Sequence, residues 1–258
     1  MGADQPLDTS DDAVLGGRLR LRQPLRGHRV GHDAILLAAA TGARAGEYAV
    51  DLGAGVGGAG LALAVRVPGL NVTLVEIDAA LCALADENAA RNGLGERVRA
   101  LARDAEDVDA LATADLKPGS IDRVLMNPPF NDARRQNASP DARRRLAHVA
   151  DAGLLARWVA TANTLLKPRG ALTLIWRADG LDEVLAALSA AFGAIAVLPV
   201  YPRDGAPAVR VLVRAIKGGE AAALKYLPGL MLNGDDGRPT DAAEAVLRHA
   251  APLALAVL

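Results

Sequence analysis

The sequence predicts an α/β fold in which a mostly parallel, doubly wound sheet of seven strands ends in an antiparallel hairpin. Short apolar runs that read as buried strands alternate along the chain with stretches of helical periodicity, which is the pattern of parallel βαβ units. The last two runs, 194–200 and 208–216, are joined by a segment without a crossover helix. This last pair must therefore be antiparallel.

The length and the net charge of the chain limit the classes of protein to which it can belong. At 258 residues the chain can bury one good core, and we expect residues 1–258 to form a single domain. Lys and Arg total 29 against 30 Asp and Glu, giving a net charge of -1. Bulk charge therefore gives no argument for a nucleic-acid partner, and only local clustering of charge could restore one.

Cysteine and histidine usage argues against a metal site. The single cysteine, Cys82, excludes an intramolecular disulfide and leaves too few thiols for a cysteine zinc site. His28 and His32 lack an acidic partner at metal-ligand spacing, so we expect no metal. No signal-like segment and no apolar run of membrane-spanning length occurs, so we expect a cytoplasmic protein with no membrane partner.

The amino-terminal part is rich in charge. Residues 1–12 are polar and acidic without hydrophobic periodicity, and we predict a mobile tail there. In the segment 16–42, which we place at the entrance to the site, leucines alternate with arginines as in a half-exposed strand or hairpin. Arg29 is one of five arginines here that form either a phosphate-binding edge or a solvated face. A helix follows over 34–40, with Asp33 at or near its N-cap.

A glycine-rich turn follows the first strand of the predicted parallel sheet. The turn reads Asp51-Leu52-Gly53-Ala54-Gly55-Val56-Gly57-Gly58 and precedes a helical stretch. Glycines allow a tight turn and bring backbone N–H groups against a ligand at a helix N-terminus. The spacing of Gly53, Gly55 and Gly58 also fits the G-x-G-x-x-G pattern of dinucleotide enzymes, which is a weak signal by itself.

Polar side chains mark the ends of four successive predicted strands. Asp51, Glu76 and Asp104 close the first three, and Asn127 closes the fourth. Ligands of doubly wound sheets bind outside the carboxyl ends of the strands, so these side chains would surround one crevice. Glu76 could accept hydrogen bonds from both hydroxyls of a nucleoside ribose. For each acid alone a helix cap is the alternative role, and the repetition favours a site. These four strands are predicted over residues 48–52, 71–75, 98–102 and 121–126, with a helix over 79–91.

The fourth strand runs into the turn Asn127-Pro128-Pro129-Phe130. Two prolines can neither continue the ladder nor leave the loop flexible, so the asparagine side chain is held at a strand end. A planar amino group could donate its two protons to the Asn127 amide oxygen and the Pro128 carbonyl while its ring stacks on Phe130. An Asn-Pro-Pro-Phe turn is therefore a feature that we would look for in an enzyme that methylates a conjugated amino nitrogen. The alternative is a rigid strand exit followed by a core phenylalanine.

Five arginines follow this turn. Arg134 and Arg135 lie in a polar loop, and Arg143, Arg144 and Arg145 come shortly after it. Arginine forks pair well with phosphate oxygens, so the group could neutralise substrate phosphates, although nearby aspartates also fit a solvated helix start. Beyond them we predict a helix over 151–166, a strand over 171–176 and a helix over 181–191.

Taken together, these motifs resemble those of class I S-adenosylmethionine-dependent methyltransferases of the small-domain type, and most of all the bacterial tRNA(valine) adenine-N6 methyltransferases. The resemblance covers nearly the whole chain. It is carried by the glycine-rich turn, the Asn-Pro-Pro-Phe turn, and positions within residues 23–38 and 227–237. The fold it implies is Rossmann-like. The Asn-Pro-Pro-Phe turn is shared with rRNA, DNA and protein-glutamine methyltransferases, so it indicates the chemistry better than the substrate.

The resemblance implies S-adenosylmethionine as cofactor and the N6 amino group of a tRNA adenine beside the anticodon as methyl acceptor. The catalytic residues so implied are Asn127, Pro128, Pro129 and Phe130. The cofactor-binding residues so implied are Asp51, Gly53, Ala54, Gly55, Glu76, Ile77, Asp104 and Asn127. The substrate-binding residues so implied are Arg29, Arg134, Arg135, Arg143 and Arg144.

Three alternatives compete with this interpretation. The first keeps the chemistry but transfers the methyl group to a protein glutamine amide, to rRNA or to a small molecule. The second is an NAD-binding oxidoreductase, which the glycine spacing and Glu76 support but which gives the Asn-Pro-Pro-Phe turn no role. The third is a catalytically silent RNA-binding module, which would not need Asn127.

Overall fold

The computed structural model describes residues 8–26, 29–129, 142–220 and 224–258, with the backbone alone for residues 142–152. Eleven strands and seven α-helices lie in these ranges. The strands are β1 (Thr9–Val14), β2 (Leu19–Pro24), β3 (Tyr48–Leu52), β4 (Asn71–Glu76), β5 (Val98–Ala102), β6 (Ile121–Met126), β7 (Leu166–Arg177), β8 (Phe192–Tyr201), β9 (Arg210–Lys217), β10 (Lys225–Tyr226) and β11 (Leu230–Met231). The helices are α1 (His32–Ala40), α2 (Gly58–Arg66), α3 (Ala79–Arg91), α4 (Val108–Thr113), α5 (Ala142–Leu165), α6 (Leu181–Leu188) and α7 (Asp241–His249).

One large sheet has the strand order β10-β8-β9-β7-β6-β3-β4-β5, with β11 also paired to β8. Its neighbouring strands are parallel except where β9 pairs with β7 and β8, which are both antiparallel to it. The seven predicted strands correspond to β3–β9, and β8 and β9 form the predicted antiparallel hairpin. The predicted fold class is confirmed. The two-residue strands β10 and β11 add to this sheet and are too short to show a periodicity in the sequence.

The predicted tail over residues 1–12 is too long. Strand β1 begins at Thr9 and pairs with β2 in a separate two-stranded hairpin. Residues 9–12 are polar, which is why they carry no strand signal. They are held by polar contacts instead, among them an ion pair of 2.6 Å between Asp11 and Arg91 of α3. Buried Leu19 and Leu21 on β2 provide the apolar face of the hairpin.

Helices cover both faces of the large sheet and enclose two clusters of buried side chains. On one face α1, α2, α3 and α7 pack over the sheet, with Leu37, Leu61 and Leu74 in that cluster. On the other face α5 and α6 pack around Trp176 and Leu172. Burial of each such side chain contributes about 2 kcal/mol relative to exposure. Among the described residues, no helix combines the length and the apolar character that crossing a membrane requires.

Two helix starts near the site have local causes. Helix α3 begins after Asp78, whose carboxylate accepts hydrogen bonds from the backbone N–H groups of Ala80 and Leu81. Helix α1 is preceded by Gly31, so Asp33 is not its N-cap. Asp33 lies in the first turn instead, where its carboxylate accepts a hydrogen bond of 2.9 Å from Arg210 at the start of β9.

Candidate active site

The register of the sheet brings the predicted strand-end residues to one edge. Leu52 at the end of β3 pairs with Val75 on one side and Met126 on the other. The glycine-rich turn therefore lies between Glu76 and Asn127, which end or follow the neighbouring strands. We call residues 53–58 the cofactor loop.

The cofactor loop is tied to β4 by its own backbone. The N–H groups of Gly53 and Ala54 both donate to the carbonyl of Val75, at 2.9 Å each. Gly55 donates to Oε2 of Glu76 at 2.8 Å. These bonds fix the loop against the end of β4, which makes Glu76 part of the loop's support as well as a candidate ligand group.

Glu76 is buried and held from both sides. Its Oε1 accepts a hydrogen bond of 2.9 Å from the backbone N–H of Asp78, while Oε2 accepts from Gly55. Each carboxylate oxygen has a second lone pair, so the group can still accept hydrogen bonds from a diol. The next residue, Ile77, leaves 69% of its surface exposed and places an apolar side chain at the rim of the crevice. The two carboxylate oxygens of Glu76 suit the hydroxyls of a ribose, and the apolar side chain of Ile77 suits the base of the same nucleoside.

Asp51 lies beneath the loop, buried from solvent. Its Oδ2 accepts a hydrogen bond of 2.8 Å from the backbone N–H of Gly60 in the first turn of α2. Burial raises the pKa of Asp51 to about 7, and the nearby Glu76 charge adds to that rise, against the lowering effect of the Gly60 bond. The side chain therefore joins β3 to α2.

Two glycines of the loop are required for different reasons. Gly53 has φ of +70°, and a Cβ atom there would lie 2.3 Å from the indole of Trp158 on α5. Gly55 has φ of +57°, but a Cβ atom there would meet nothing within 4 Å. Gly53 thus fits against packed protein, and Gly55 faces open space in which a ligand can approach the backbone.

The end of β6 carries an unpaired acceptor. Within the described part of the chain, Oδ1 of Asn127 is buried and has no hydrogen-bond partner. Such an atom costs about 1–3 kcal/mol when left unpaired, so its retention calls for an explanation in ligand binding. Pro128 is buried and Pro129 is exposed. Phe130 lies outside the described residues, and its stacking role stays a prediction.

Asp104 follows β5, whose residue Ala102 pairs with Glu76. Its side chain is exposed and accepts a hydrogen bond of 2.9 Å from the backbone N–H of Glu106. This contact closes a local turn and is not the helix cap that we considered as the alternative, since Asp107 is the N-cap of α4. The Asp104 carboxylate still lies at the same sheet edge as the cofactor loop, and its role in cofactor binding stays a prediction.

The predicted arginines contribute less to the described site. Arg29 donates to Asp12 at 2.7 Å and to the Pro24 carbonyl at 3.0 Å, so its guanidinium is engaged within the protein. Arg20 and Arg22 of the same segment also pair with carboxylates. Arg134 and Arg135 lie outside the described residues. Arg143, Arg144 and Arg145 lie on the part of α5 described by its backbone alone, so their contacts remain predictions.

Sequence reasoning missed Asn88, which is fully buried in α3 and bonds to the cofactor loop. A signal was present, because Asn88 lies three residues after Ala85 and beside Ala89 on the apolar face of a helix. A polar side chain at such a position needs buried partners.

A sizeable cavity of the described protein lies elsewhere. It has a volume of about 520 Å³ and is lined by the first residues of four strands, among them Tyr48, Asn71 and Val98. This is the opposite edge of the sheet, and none of the predicted site residues lines the cavity. The candidate active site is therefore identified by the side chains at the carboxyl ends of the strands and not by this cavity. Among the described residues, no cluster of three or more His, Cys, Asp or Glu side chains could hold a metal ion.

The fold and these sheet-edge contacts are those of a class I methyltransferase: a parallel sheet closed by an antiparallel strand pair, a glycine-rich loop after the first strand, and an acid ending the second. The sequence profile of the family described as methyltransferase small domain matches residues 29–200. The chain belongs to this family. The family predicted from the sequence is confirmed, and membership does not support the NAD-binding oxidoreductase.

Several relatives of known name are similar in sequence. A release factor glutamine methyltransferase of Chlorobaculum tepidum is 32% identical over 160 residues, which are 59% of this chain and 53% of that protein. A tRNA1(Val) (adenine(37)-N6)-methyltransferase of Porphyromonas gingivalis is 31% identical over 160 residues, 60% of this chain and 61% of that protein. The chain thus spans less than two thirds of the length of these relatives. The enzyme with the same tRNA name in Pedobacter heparinus is 26% identical over 223 residues, 85% of this chain and 89% of that protein.

Solved structures show the same fold. Protein Atu636 of Agrobacterium tumefaciens, described as a predicted O-methyltransferase, superposes with a TM-score of 0.72 at 28% identity, covering 86% of this chain and 98% of that one. Geranyl diphosphate C-methyltransferase of Streptomyces coelicolor, solved with Mg²⁺, a substrate analogue and S-adenosyl-L-homocysteine, superposes with a TM-score of 0.51 at 14% identity. It covers 72% of this chain and 75% of its own, and at that identity it supports the fold alone.

Proposed function

We propose that the protein is an S-adenosylmethionine-dependent N-methyltransferase that acts on the N6 amino group of adenine in tRNA, near the anticodon. The observation that carries the proposal is the buried, unpaired Oδ1 of Asn127 on the strand next to the cofactor loop. An acceptor kept free at that place fits an amino group as its partner. We also propose that residues 1–258 work as one methyltransferase domain and, because the acceptor is tRNA, in the cytoplasm.

The residues at the sheet edge fit S-adenosylmethionine. The open approach to Gly55 would admit the cofactor against the loop backbone, Glu76 would accept the ribose hydroxyls, and exposed Ile77 would offer apolar surface to the adenine ring. Asp51, Gly53, Ala54 and Asp104 complete the proposed cofactor set, together with Asn127, whose main proposed contact is with the acceptor. When bound, the cofactor supplies an electrophilic methyl group on a sulfonium.

The part played by the protein is to prepare and orient the acceptor nitrogen. Asn127 Oδ1 and the Pro128 carbonyl would accept the two amino protons, which draws the nitrogen lone pair out of conjugation with the ring and aims it for in-line attack. Both acceptors are held by a strand end and two prolines, so little reorganisation is needed. Phe130 would stack on the base once it is extruded from its neighbours. As the N–CH3 bond forms the S–CH3 bond breaks, the sulfur keeps the bonding electron pair, and the methylated nitrogen then releases one proton to solvent. The nitrogen is acidic at that stage, so the step needs no strong general base and no metal.

Adenine in tRNA is favoured over other acceptors by the relatives that bear that name and align with up to 85% of this chain. The glutamine amide is the second candidate, because the glutamine methyltransferase of Chlorobaculum tepidum is as similar over its aligned part. Both acceptors are planar conjugated amino groups and fit the Asn127 acceptor. Arg20, Arg22 and Arg29 of the amino-terminal part pair with acids. We therefore assign the proposed phosphate contacts mainly to Arg134, Arg135, Arg143 and Arg144.

The test is an acceptor assay with a methyl-labelled cofactor. Purified protein is incubated with tRNA from cells lacking the gene, with release factor protein, or with rRNA, and products are read by mass spectrometry of nucleosides and of peptides. We expect N6-methyladenosine in tRNA, placed by nuclease mapping beside the anticodon, and formation of this product at least about a hundredfold more slowly with Asn127→Ala. Labelled glutamine in release factor protein with unlabelled tRNA would show that the acceptor is a protein. Label in rRNA alone, or in none of the three acceptors, would contradict the proposed function.

A further inference from the structure

Asn88 of α3 and Asn92, the residue that caps the carboxyl end of this helix, make the backbone hydrogen bonds to β2 that a neighbouring strand would make. Asn88 accepts from the backbone N–H of Arg22 at 2.7 Å and donates to its carbonyl at 2.9 Å. One helical turn later, Asn92 does the same with Arg20, at 2.9 Å and 2.8 Å. Alternate residues of a strand direct N–H and C=O groups to the same edge, and here two side-chain amides satisfy that edge. The other edge of β2 pairs with β1.

Asn88 differs from Asn92 in one contact. Its Nδ2 also donates to the carbonyl of Val56 in the cofactor loop, at 3.0 Å. Asn88 is 0% exposed, so both of its amide protons and its oxygen are committed inside the protein. The second bond of the Asn92 amide goes to the Asn88 carbonyl within α3 and reaches no part of the cofactor loop. The buried amide of Asn88 therefore joins the hairpin to the cofactor loop by direct hydrogen bonds.

The neighbouring residue of β2 reaches the same loop by a second route. Gln23, 2% exposed, is held by Asp12 at 2.8 Å and accepts a hydrogen bond of 2.9 Å from the backbone N–H of Val30. The methyl carbons of Val30 lie 2.7 and 2.8 Å from the place that a Cβ atom on Gly58 would occupy. Two adjacent hairpin residues thus hold both sides of the loop, one through Asn88 and one through Val30.

We infer that the β1–β2 hairpin clamps the cofactor loop and that Asn88 is the positioning residue that couples hairpin docking to cofactor binding. The inference rests on the proposed function in taking S-adenosylmethionine as the ligand of the loop. Coupling between two sites is reciprocal, so a ligand that orders the loop must also tighten the hairpin. A ligand that fixes Val56 also fixes Asn88 through their hydrogen bond, and Asn88 in turn holds the backbone N–H of Arg22.

Amide hydrogen exchange of the unaltered protein tests the coupling with an internal control. The N–H of Arg22 is bonded to Asn88, and the N–H of Arg20 is bonded to Asn92. Saturating S-adenosylhomocysteine should slow exchange at Arg22 at least about fivefold, the lower end of typical coupling, and slow Arg20 less. Bound ligand with no slowing at Arg22, or with equal slowing at both residues, would overturn the inference and leave the proposed function standing. No binding would count against both.

Matched variants give a second readout. Affinity of a folded protein does not depend on its global stability, so a merely structural residue leaves the S-adenosylhomocysteine dissociation constant unchanged. At a temperature where circular dichroism shows both proteins folded, Asn88→Ala should raise that constant about tenfold or more and raise KM for the cofactor with little change in kcat. Asn92→Ala should leave both constants within about twofold. Equal effects of the two substitutions would overturn the inference. If Asn88→Ala does not fold, the exchange experiment decides alone.

Discussion

The unpaired amide oxygen of Asn127 is the atom on which turnover should depend most. Its proposed partner is the acceptor amino group, so Asn127→Ala should leave S-adenosylmethionine affinity nearly unchanged. Loss of one preorganised polar contact in a transition state commonly lowers kcat by about a hundred- to a thousandfold. Single-turnover rates and cofactor affinities for the folded variant measure both effects.

Asn127→Asp separates proton acceptance from other roles of the side chain. It keeps an acceptor oxygen and adds a negative charge near the cofactor, so we expect more residual activity than with alanine. Near-normal turnover in a folded Asn127→Ala protein would show instead that the Asn-Pro-Pro turn is only a strand exit.

The two loop glycines offer a comparison in stability. Both have a positive φ, which costs an alanine about 1–2 kcal/mol. At position 53 an alanine would also press on the indole of Trp158, and overpacking adds about 1–3 kcal/mol. We therefore expect Gly53→Ala to lower the free energy of unfolding in urea by more than Gly55→Ala does. Equal losses of unfolding free energy for the two variants would show that the Trp158 side chain moves aside at no measurable cost in stability.

At the scale of elements, the link between β3 and α2 should depend on pH. The pKa of Asp51 is raised in the folded protein from 3.8 to about 7, so the folded state binds the proton more tightly than the unfolded state. Protonated Asp51 therefore makes its full contribution to the free energy of unfolding below about pH 4. This contribution is lost as pH rises to about 7, by up to ~1.4 kcal/mol per pH unit. The Asp51→Asn variant carries an amide that cannot titrate, so it should lack this loss.

The measurement is urea unfolding of both proteins from pH 4.5 to 8. The difference in unfolding free energy should shift in favour of Asp51→Asn as pH rises, by a few kcal/mol in total. Asp11, Asp12 and Asp122 have lowered pKa values, whose effect on stability has the opposite sign, but they cancel in the difference. Parallel curves for the two proteins would contradict a raised pKa at Asp51.

The sequence predicted some elements closely and others not at all. Strands β3, β5 and β6 and helix α3 begin and end where the sequence placed them, because apolar periodicity, an N-cap and glycine turns agree there. Helix α5 begins nine residues earlier than predicted, at Ala142, where charged residues obscure the helical period. The short helix α4 and the amphipathic α7 were missed. Their boundaries are set by Asp107 and Thr240 caps that resemble ordinary loop residues.

The placement of the strand-end residues could be predicted, whereas their role as a site stays a prediction. The strand-end positions of Asp51, Glu76 and Asn127 follow from chain order and the parallel sheet, so the sequence suffices to bring them to one edge. The clamp on the loop could not be predicted, because Asn88 and Arg22 lie 66 residues apart and meet only through the packing of the hairpin on α3.

At the scale of the whole molecule, the carboxyl terminus closes over the helix that follows the amino-terminal hairpin. The backbone N–H of Leu253 donates to the carbonyl of Ala39 at the end of α1, and Leu255 is 0% exposed in the same cluster. Leu255→Ala should therefore lower the free energy of unfolding by about 2–5 kcal/mol through a buried cavity. Chemical denaturation measures the loss.

Leu258 provides the matched control, since its side chain is 44% exposed three residues further on. Leu258→Ala should change the unfolding free energy by less than about 0.5 kcal/mol. A small loss for Leu255→Ala as well would mean that the carboxyl terminus packs on α1 without stabilising it.

The position of β9 also governs when the sheet can close during synthesis. Strand β9 (Arg210–Lys217) inserts between β7 and β8, although both precede it in the chain. Strands β3–β7 can pair as soon as they leave the ribosome, but the backbone of residues 171–177 then faces no partner on its outer side. A bare apolar edge is a template for pairing with other chains, and chains fold from the amino terminus as they are made. The nascent protein therefore exposes an aggregation-prone edge beside the strands of the candidate site until residue 217 has emerged.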